Sequence, residues 1–224
     1  MVRILQEQFA KNPKLKKIME VISWFLATGV SIAVLIAAIN YSDIPAQDKE
    51  ELTRLTKIEA SKHNEIKQAD STYKEKIKAV ESYMEKALKN QNYTWKSTHL
   101  TPSALVKASI EHNFDLPFLM AVAHQESCFG ATPRARRTNS VFSEGLYDNG
   151  HNAVTYSNPN ESVVGFINLL NNDYLIDGKK LSDLLKPGAF VNHNGHRYAS
   201  DPNYERKIRY LRNKIASEYP QLVS

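Results

Sequence analysis

Hydrophobic and polar positions fall into three regimes along the chain, and the first is an unbroken apolar run. No residue between Glu20 and Asp43 is charged, and residues 21–39 read VISWFLATGVSIAVLIAAI. At about 1.5 Å rise per residue, a helix of that length crosses a hydrocarbon core of roughly 30 Å. A core helix of a soluble domain is not expected to be apolar on every face over such a span. The run also exceeds the roughly 7–15 apolar residues of a cleaved signal peptide. The pattern predicts an uncleaved transmembrane anchor over residues 21–42.

The second regime, from Gln47 to about Asn90, is rich in Lys, Glu, Ala and Gln and lacks both Gly and Pro. Leu52, Leu55 and Ile58, then Ile66, Tyr73, Ile77, Val80 and Met84, recur at helical spacing. The expectation is a charged helical stalk over residues 43–97. Apolar positions are too sparse around residues 59–62 for a coiled coil. A solvated spacer helix fits the composition best, with the stripe 73–84 as a candidate face for self-association. Residues 92–98 read as a hinge.

The third regime has short amphipathic helices broken by turn residues. Thr101-Pro102 is a helix start, cap followed by first-turn proline, with Ala104, Leu105, Ala108 and Ile110 on the apolar face. After a break at residues 113–115 comes LPFLMAVAHQ, residues 116–125, almost wholly apolar and so suited to a domain centre. Residues 163–170 form a further apolar helix, and 205–218 a final one with Ile208, Leu211 and Ile215 on one face. The class is mainly α.

Charge refines this layout. Of the formal net charge of +5 over 224 residues, residues 1–20 hold a net +3, from five basic and two acidic side chains. The excess is a basic tail before the anchor, not a nucleic-acid-binding face. By the positive-inside bias, residues 1–20 stay cytoplasmic and the chain beyond about Ile44 is exported. Cys128 is the only cysteine, so no intrachain disulfide forms. Zinc-finger spacing and phosphate-cradling Gly-rich loops are lacking, and no cofactor is expected.

Candidate chemistry gathers where the most apolar helix ends. Glu126 follows it directly, ahead of Ser127, Cys128, Phe129 and Gly130. A carboxyl group there loses solvation and meets the negative end of the helix dipole; both effects raise its pKa, as a general acid requires. A glutamate ending a helix is, by itself, as readily a surface residue. His124 and Cys128 lie too close in sequence, with no third orienting group, to suggest a thiol nucleophile. His193 and His196 flank the turn Asn194-Gly195 and lack the further ligands a zinc ion needs.

Three segments in order carry a family resemblance: Glu126-Ser127-Cys128-Phe129-Gly130; Asn139-Ser140-Val141-Phe142-Ser143-Glu144; and Tyr198-Ala199-Ser200-Asp201-Pro202-Asn203-Tyr204. They resemble the glucosaminidase domain of glycoside hydrolase family 73, found in bacterial autolysins, flagellar hydrolases and phage lysins. The resemblance spans about residues 98–219. It implies a lysozyme-like helical domain over residues 98–224, with a small β-hairpin lobe beside the cleft. It further implies hydrolysis of peptidoglycan after N-acetylglucosamine, with Glu126 as the catalytic acid and Tyr198 in the cleft. Asn139, Phe142, Phe129 and Tyr204 would contact the glycan strand. Cys128 and Ser143 both stand where the family pattern carries glycine, and Glu144 is an added carboxylate.

For a second carboxyl group the sequence offers Glu144, Asp148 and Glu161. Glu144 and Asp148 fall in the Gly-rich stretch 143–150, as catalytic groups or as solvated loop residues alike. Glu161, before an apolar helix and after Asn158-Pro159-Asn160, reads as a first-turn cap. Arg134, Arg136 and Arg137 read as a solvated loop that could meet acidic peptide stems. The whole describes a membrane-tethered hydrolase of peptidoglycan glycan strands, facing the wall, with bacterial or phage roles equally served. A lytic transglycosylase, or a non-catalytic wall-binding or virion protein of the same fold, is the alternative.

Overall fold

The computed structural model describes residues 20, 24–25, 34–36, 39, 46–89, 99–145 and 154–223. Among these the chain is mainly helical, without strands and with one isolated antiparallel bridge, Val191 to Arg197. It divides into two compact units, Met1–Ser71 and Thr72–Ser224. The basic tail and most of the expected anchor at 21–42 lie outside the described residues. Among the described residues no helix is long and apolar enough to cross a membrane.

The long helix α1, Ala46–Lys89, begins in the first unit. Its unbroken length follows from the absence of Gly and Pro, the two residues most costly to a helix interior. Along this helix Leu52, Leu55, Thr56 and Ala60 are buried, whereas residues 64–72 are exposed. Thr56 settles its hydroxyl on the Leu52 carbonyl at 2.7 Å, the usual solution for a buried helical threonine.

In the second unit, the end of α1 is part of the core. Ala79, Val80, Tyr83 and Met84 are buried in the main hydrophobic cluster, and Tyr73 and Ile77 pack against it. The stripe 73–84, expected as a self-association face, is therefore covered by the chain's own domain. Polar contacts fix it there: Tyr83 Oη lies 2.7 Å from His124 Nδ1, and Lys86 Nζ 2.8 Å from a Glu218 carboxylate oxygen. Helical periodicity locates an apolar stripe but not the surface that covers it, which explains why composition alone suggested a stalk.

α2, Pro102–Glu111, starts as expected, with Thr101 accepting from the Ala104 N–H. Helix α3, Leu116–Ser127, is the central element, and every residue from Leu116 to Ala123 is buried. Asp115 caps it, accepting from Phe118 N–H at 2.7 Å, and binds Arg212 of the last helix at 2.6 Å. α4 is Pro133–Thr138 and α5 is Glu161–Leu169, continued by a π-helical turn, Leu170–Tyr174. The short α6, Leu181–Leu184, precedes α7, Tyr204–Glu218, whose packing against α3 is the most extensive in the unit. Ile208 and Ile215 are fully buried there and Leu211 packs at the edge.

An aromatic layer joins these helices beneath one face of the unit. Phe142 stacks on Phe166 with centroids 4.3 Å apart, and Phe190 on Tyr198 at 4.7 Å. The segment 133–138, expected as a loop, is a helix because Thr132 caps it and Pro133 fills its first position. That is the same Thr-Pro start seen at α2.

Candidate active site

The last turn of α3 brings Glu126 to the end of the most buried helix. Tyr204, first residue of α7, donates its hydroxyl to Glu126 Oε1 at 2.5 Å, and the Ser143 side chain supplies a second hydrogen bond. Burial raises the Glu126 carboxyl, and these two bonds offset only part of that rise. The group therefore holds its proton to higher pH than an ordinary glutamate.

The chain after Glu126 turns sharply through three left-handed residues, Cys128, Phe129 and Gly130, at φ 50°, 58° and 86°. Ser127 anchors this turn: its hydroxyl donates to the Val141 carbonyl at 2.6 Å and accepts from Gly130 N–H at 2.7 Å. Residues 140–145 are thereby drawn alongside Glu126. Ser143 is also left-handed, at φ 56°, a conformation that costs a non-glycine residue about 1–2 kcal/mol. Its bond to Glu126 gives that strain a local reason.

Next to it, Glu144 is only 4% exposed. Its Oε2 accepts from the Tyr156 hydroxyl at 2.6 Å, whereas the buried Oε1 has no hydrogen-bond partner among the described residues. Burial pushes this carboxyl up to about 7, against the lowering effect of the Tyr156 bond. Glu126, Ser143 and Glu144 line one groove of about 670 Å³, with Tyr174, Tyr198 and Arg134 on its other sides. Tyr198 donates its hydroxyl to the Phe142 carbonyl. Its own pKa is raised well above 10 by burial and by the charges of Glu126 and Glu144, so it stays protonated.

The remaining candidates are placed differently. Phe129 and Phe142 are fully buried and present no side chain to the groove. Tyr204 acts on Glu126 from below. Asn139 ends α4 in a left-handed conformation and donates to the carbonyls of Tyr156, at 2.9 Å, and Ser157, at 3.2 Å. It therefore positions the Tyr156 segment. Glu161 accepts from Ser157 Oγ at 2.5 Å and Asn158 Nδ2 at 2.7 Å in the first turn of α5; these are side-chain bonds, and the N-cap, Asn160, makes no side-chain capping bond. Asp148 lies outside the described residues.

Asn192 Oδ1 accepts from the N–H groups of Asn194 and His196, which closes the turn between the two histidines. Among the described residues no group of three or more His, Cys, Asp or Glu side chains is placed to hold a metal ion. The pattern gave no sign of Tyr156, which reaches Glu144 from twelve residues away through a bond that only tertiary packing makes.

Glu144 also gives the domain a pH signature. Its folded pKa of about 7 lies above the ordinary carboxyl value of 4.5, so the folded state binds the extra proton. Stability from this group is complete below about pH 4.5 and is lost as pH rises through 7, by at most about 3 kcal/mol. Glu144→Gln should match the native protein in thermal midpoint near pH 5 and exceed it near pH 8. Equal midpoints at both pH values would contradict a buried, poorly compensated Glu144. Comparing the two proteins cancels the opposite contribution of His124, whose pKa is lowered by burial and then by Lys214.

No protein-family model matches the sequence, and no curated protein matches it either.

Proposed function

We propose that the second unit is a peptidoglycan glycosidase that cleaves after N-acetylglucosamine, with Glu126 as general acid. The observation carrying this reading is the groove itself, lined at the end of the central helix by Glu126, whose carboxyl pKa burial raises, and by a second, buried carboxyl, Glu144. Protonation of a leaving sugar oxygen needs the first, and activation of water is served by the second. Glycosidases use such carboxyl pairs widely.

The backbone supports the family resemblance at its two departures. Cys128 and Ser143, which replace the pattern's glycines, both adopt the left-handed conformation that glycine favours. A helical domain with the acid at the end of its central helix is in keeping with a lysozyme-like arrangement. The basic tail and apolar run support tethering to a membrane, with the domain on the exported side.

Incubation of the full chain with purified peptidoglycan tests the reading through the ends it creates. New reducing N-acetylglucosamine ends are expected. Anhydro-muramic ends would mean a lytic transglycosylase, and an undigested glycan a non-catalytic protein.

A further inference from the structure

Helix α5 contains a glycine, Gly165, in its interior, where glycine costs roughly 1 kcal/mol relative to alanine. A Cβ at that position would lie 2.1 Å from Tyr156 Oη, 2.6 Å from Cζ and 2.7 Å from Cε1. Residue 165 is thus bare because the Tyr156 ring lies against it. The ring is fixed at its backbone too: Tyr156 N–H donates to the Thr138 carbonyl at 2.9 Å, and Asn139 holds the Tyr156 carbonyl. Its hydroxyl then engages Glu144 Oε2 and, among the described residues, leaves the buried Oε1 unpaired on a residue that lines the groove. Glu144 is itself tied through its backbone, donating N–H to Ser140 Oγ and accepting from Val154 N–H.

We infer that Gly165 and Tyr156 are positioning residues that orient Glu144 as the carboxylate receiving the proton of the attacking water. This rests on the glycosidase reading above. In the step, the water oxygen bonds to the anomeric carbon as the glycosidic C–O bond breaks. Glu126 gives its proton to the departing sugar oxygen, and Glu144 takes one from the water. Glu126 ends as a carboxylate and Glu144 as the acid, and proton exchange with solvent restores both. Besides Tyr156, the titratable and charged groups that line the groove with Glu144, among the described residues, are Glu126, Arg134, Asp173, Tyr174, His196, Arg197 and Tyr198.

The test uses the full chain and three single variants, Glu144→Gln, Tyr156→Phe and Gly165→Ala. Glu144→Gln is expected to lower kcat on peptidoglycan by ~100-fold, in the range general-base catalysis supplies. Tyr156→Phe and Gly165→Ala should each lower kcat by roughly tenfold, with KM within about twofold, and the double variant no further, since both break one contact. The acidic limb of the pH–rate profile should move to higher pH in Tyr156→Phe, because the bond that favours the ionised form is gone. If Gly165→Ala does not fold, Tyr156→Phe carries the test alone.

Carbon-13 NMR of the Glu144 carboxyl gives a readout independent of turnover. Its titration near 7 should move upward in Tyr156→Phe. An unchanged titration would overturn the positioning role. Digestion by Glu144→Gln at the native rate would overturn the proton-accepting role while leaving the glycosidase reading intact. Failure of the native chain to digest peptidoglycan would overturn that reading and the proton-accepting role with it, and the NMR result would still decide the positioning.

Discussion

Glu126→Gln should abolish digestion of peptidoglycan while leaving the fold in place. Loss of a general acid removes ~10²–10⁴-fold in rate, and the groups that contact the Glu126 carboxyl do not replace it. Ser143 and Tyr204 contact the carboxyl, but the Tyr204 hydroxyl is pushed well above 10, first by burial and then by the Glu126 charge. Glutamine has the same shape and can still accept the Tyr204 hydrogen bond. It also removes a carboxyl whose ionisation burial opposes, so the thermal midpoint should hold steady or rise slightly above neutral pH. Measured turnover beside a melting curve separates the two effects. Retained turnover in a folded variant would remove Glu126 from its assigned role.

The second large effect concerns where the domain begins. A fragment of residues 98–224, the length that the sequence resemblance suggests, should fail to fold cooperatively, whereas residues 72–224 should melt as one unit. The longer fragment retains Val80, Tyr83 and Met84, all buried in the main cluster. Burying three such side chains contributes about 5–8 kcal/mol, comparable to the whole stability of a small domain. Deleting them also uncovers His124 of α3 and Phe129 of the turn after it, whose rings lie 5.7 Å and 6.0 Å from that of Tyr83. Circular dichroism melts of the two fragments decide the matter. A sharp, equal transition in the shorter one would contradict the role given to the end of α1.

What the sequence made legible was local. Thr101-Pro102, the run 116–125 and the stripe of Ile208 and Ile215 foretold helices because caps and periodicity act within a few residues. Glu126 was legible for the same reason, being an acid placed directly after an apolar helix. The rest depends on distance in the chain. Nothing near Tyr156 announces Glu144, and the meaning of Gly165 appears only when a tyrosine ring lies against it. Phe129 and Phe142 stood in segments that pointed to a cleft, yet they serve as the packed layer beneath it, since aromatic residues mark a core and a sugar-binding face equally well. The Thr132-Pro133 start of α4 was legible in principle, being the same signal as Thr101-Pro102, but three nearby arginines gave it the composition of a loop.

The reaction itself is tested most directly by the ends left on digested peptidoglycan. Borohydride reduction followed by mass spectrometry identifies them, because only a reducing end becomes an alcohol. Water completing the reaction begun by Glu126 predicts reduced N-acetylglucosamine at the new ends, and none of it with Glu126→Gln. Reduced muramic acid or anhydro-muramic ends would contradict the account even if Glu126 proved essential, because muramidases and transglycosylases need a general acid as well.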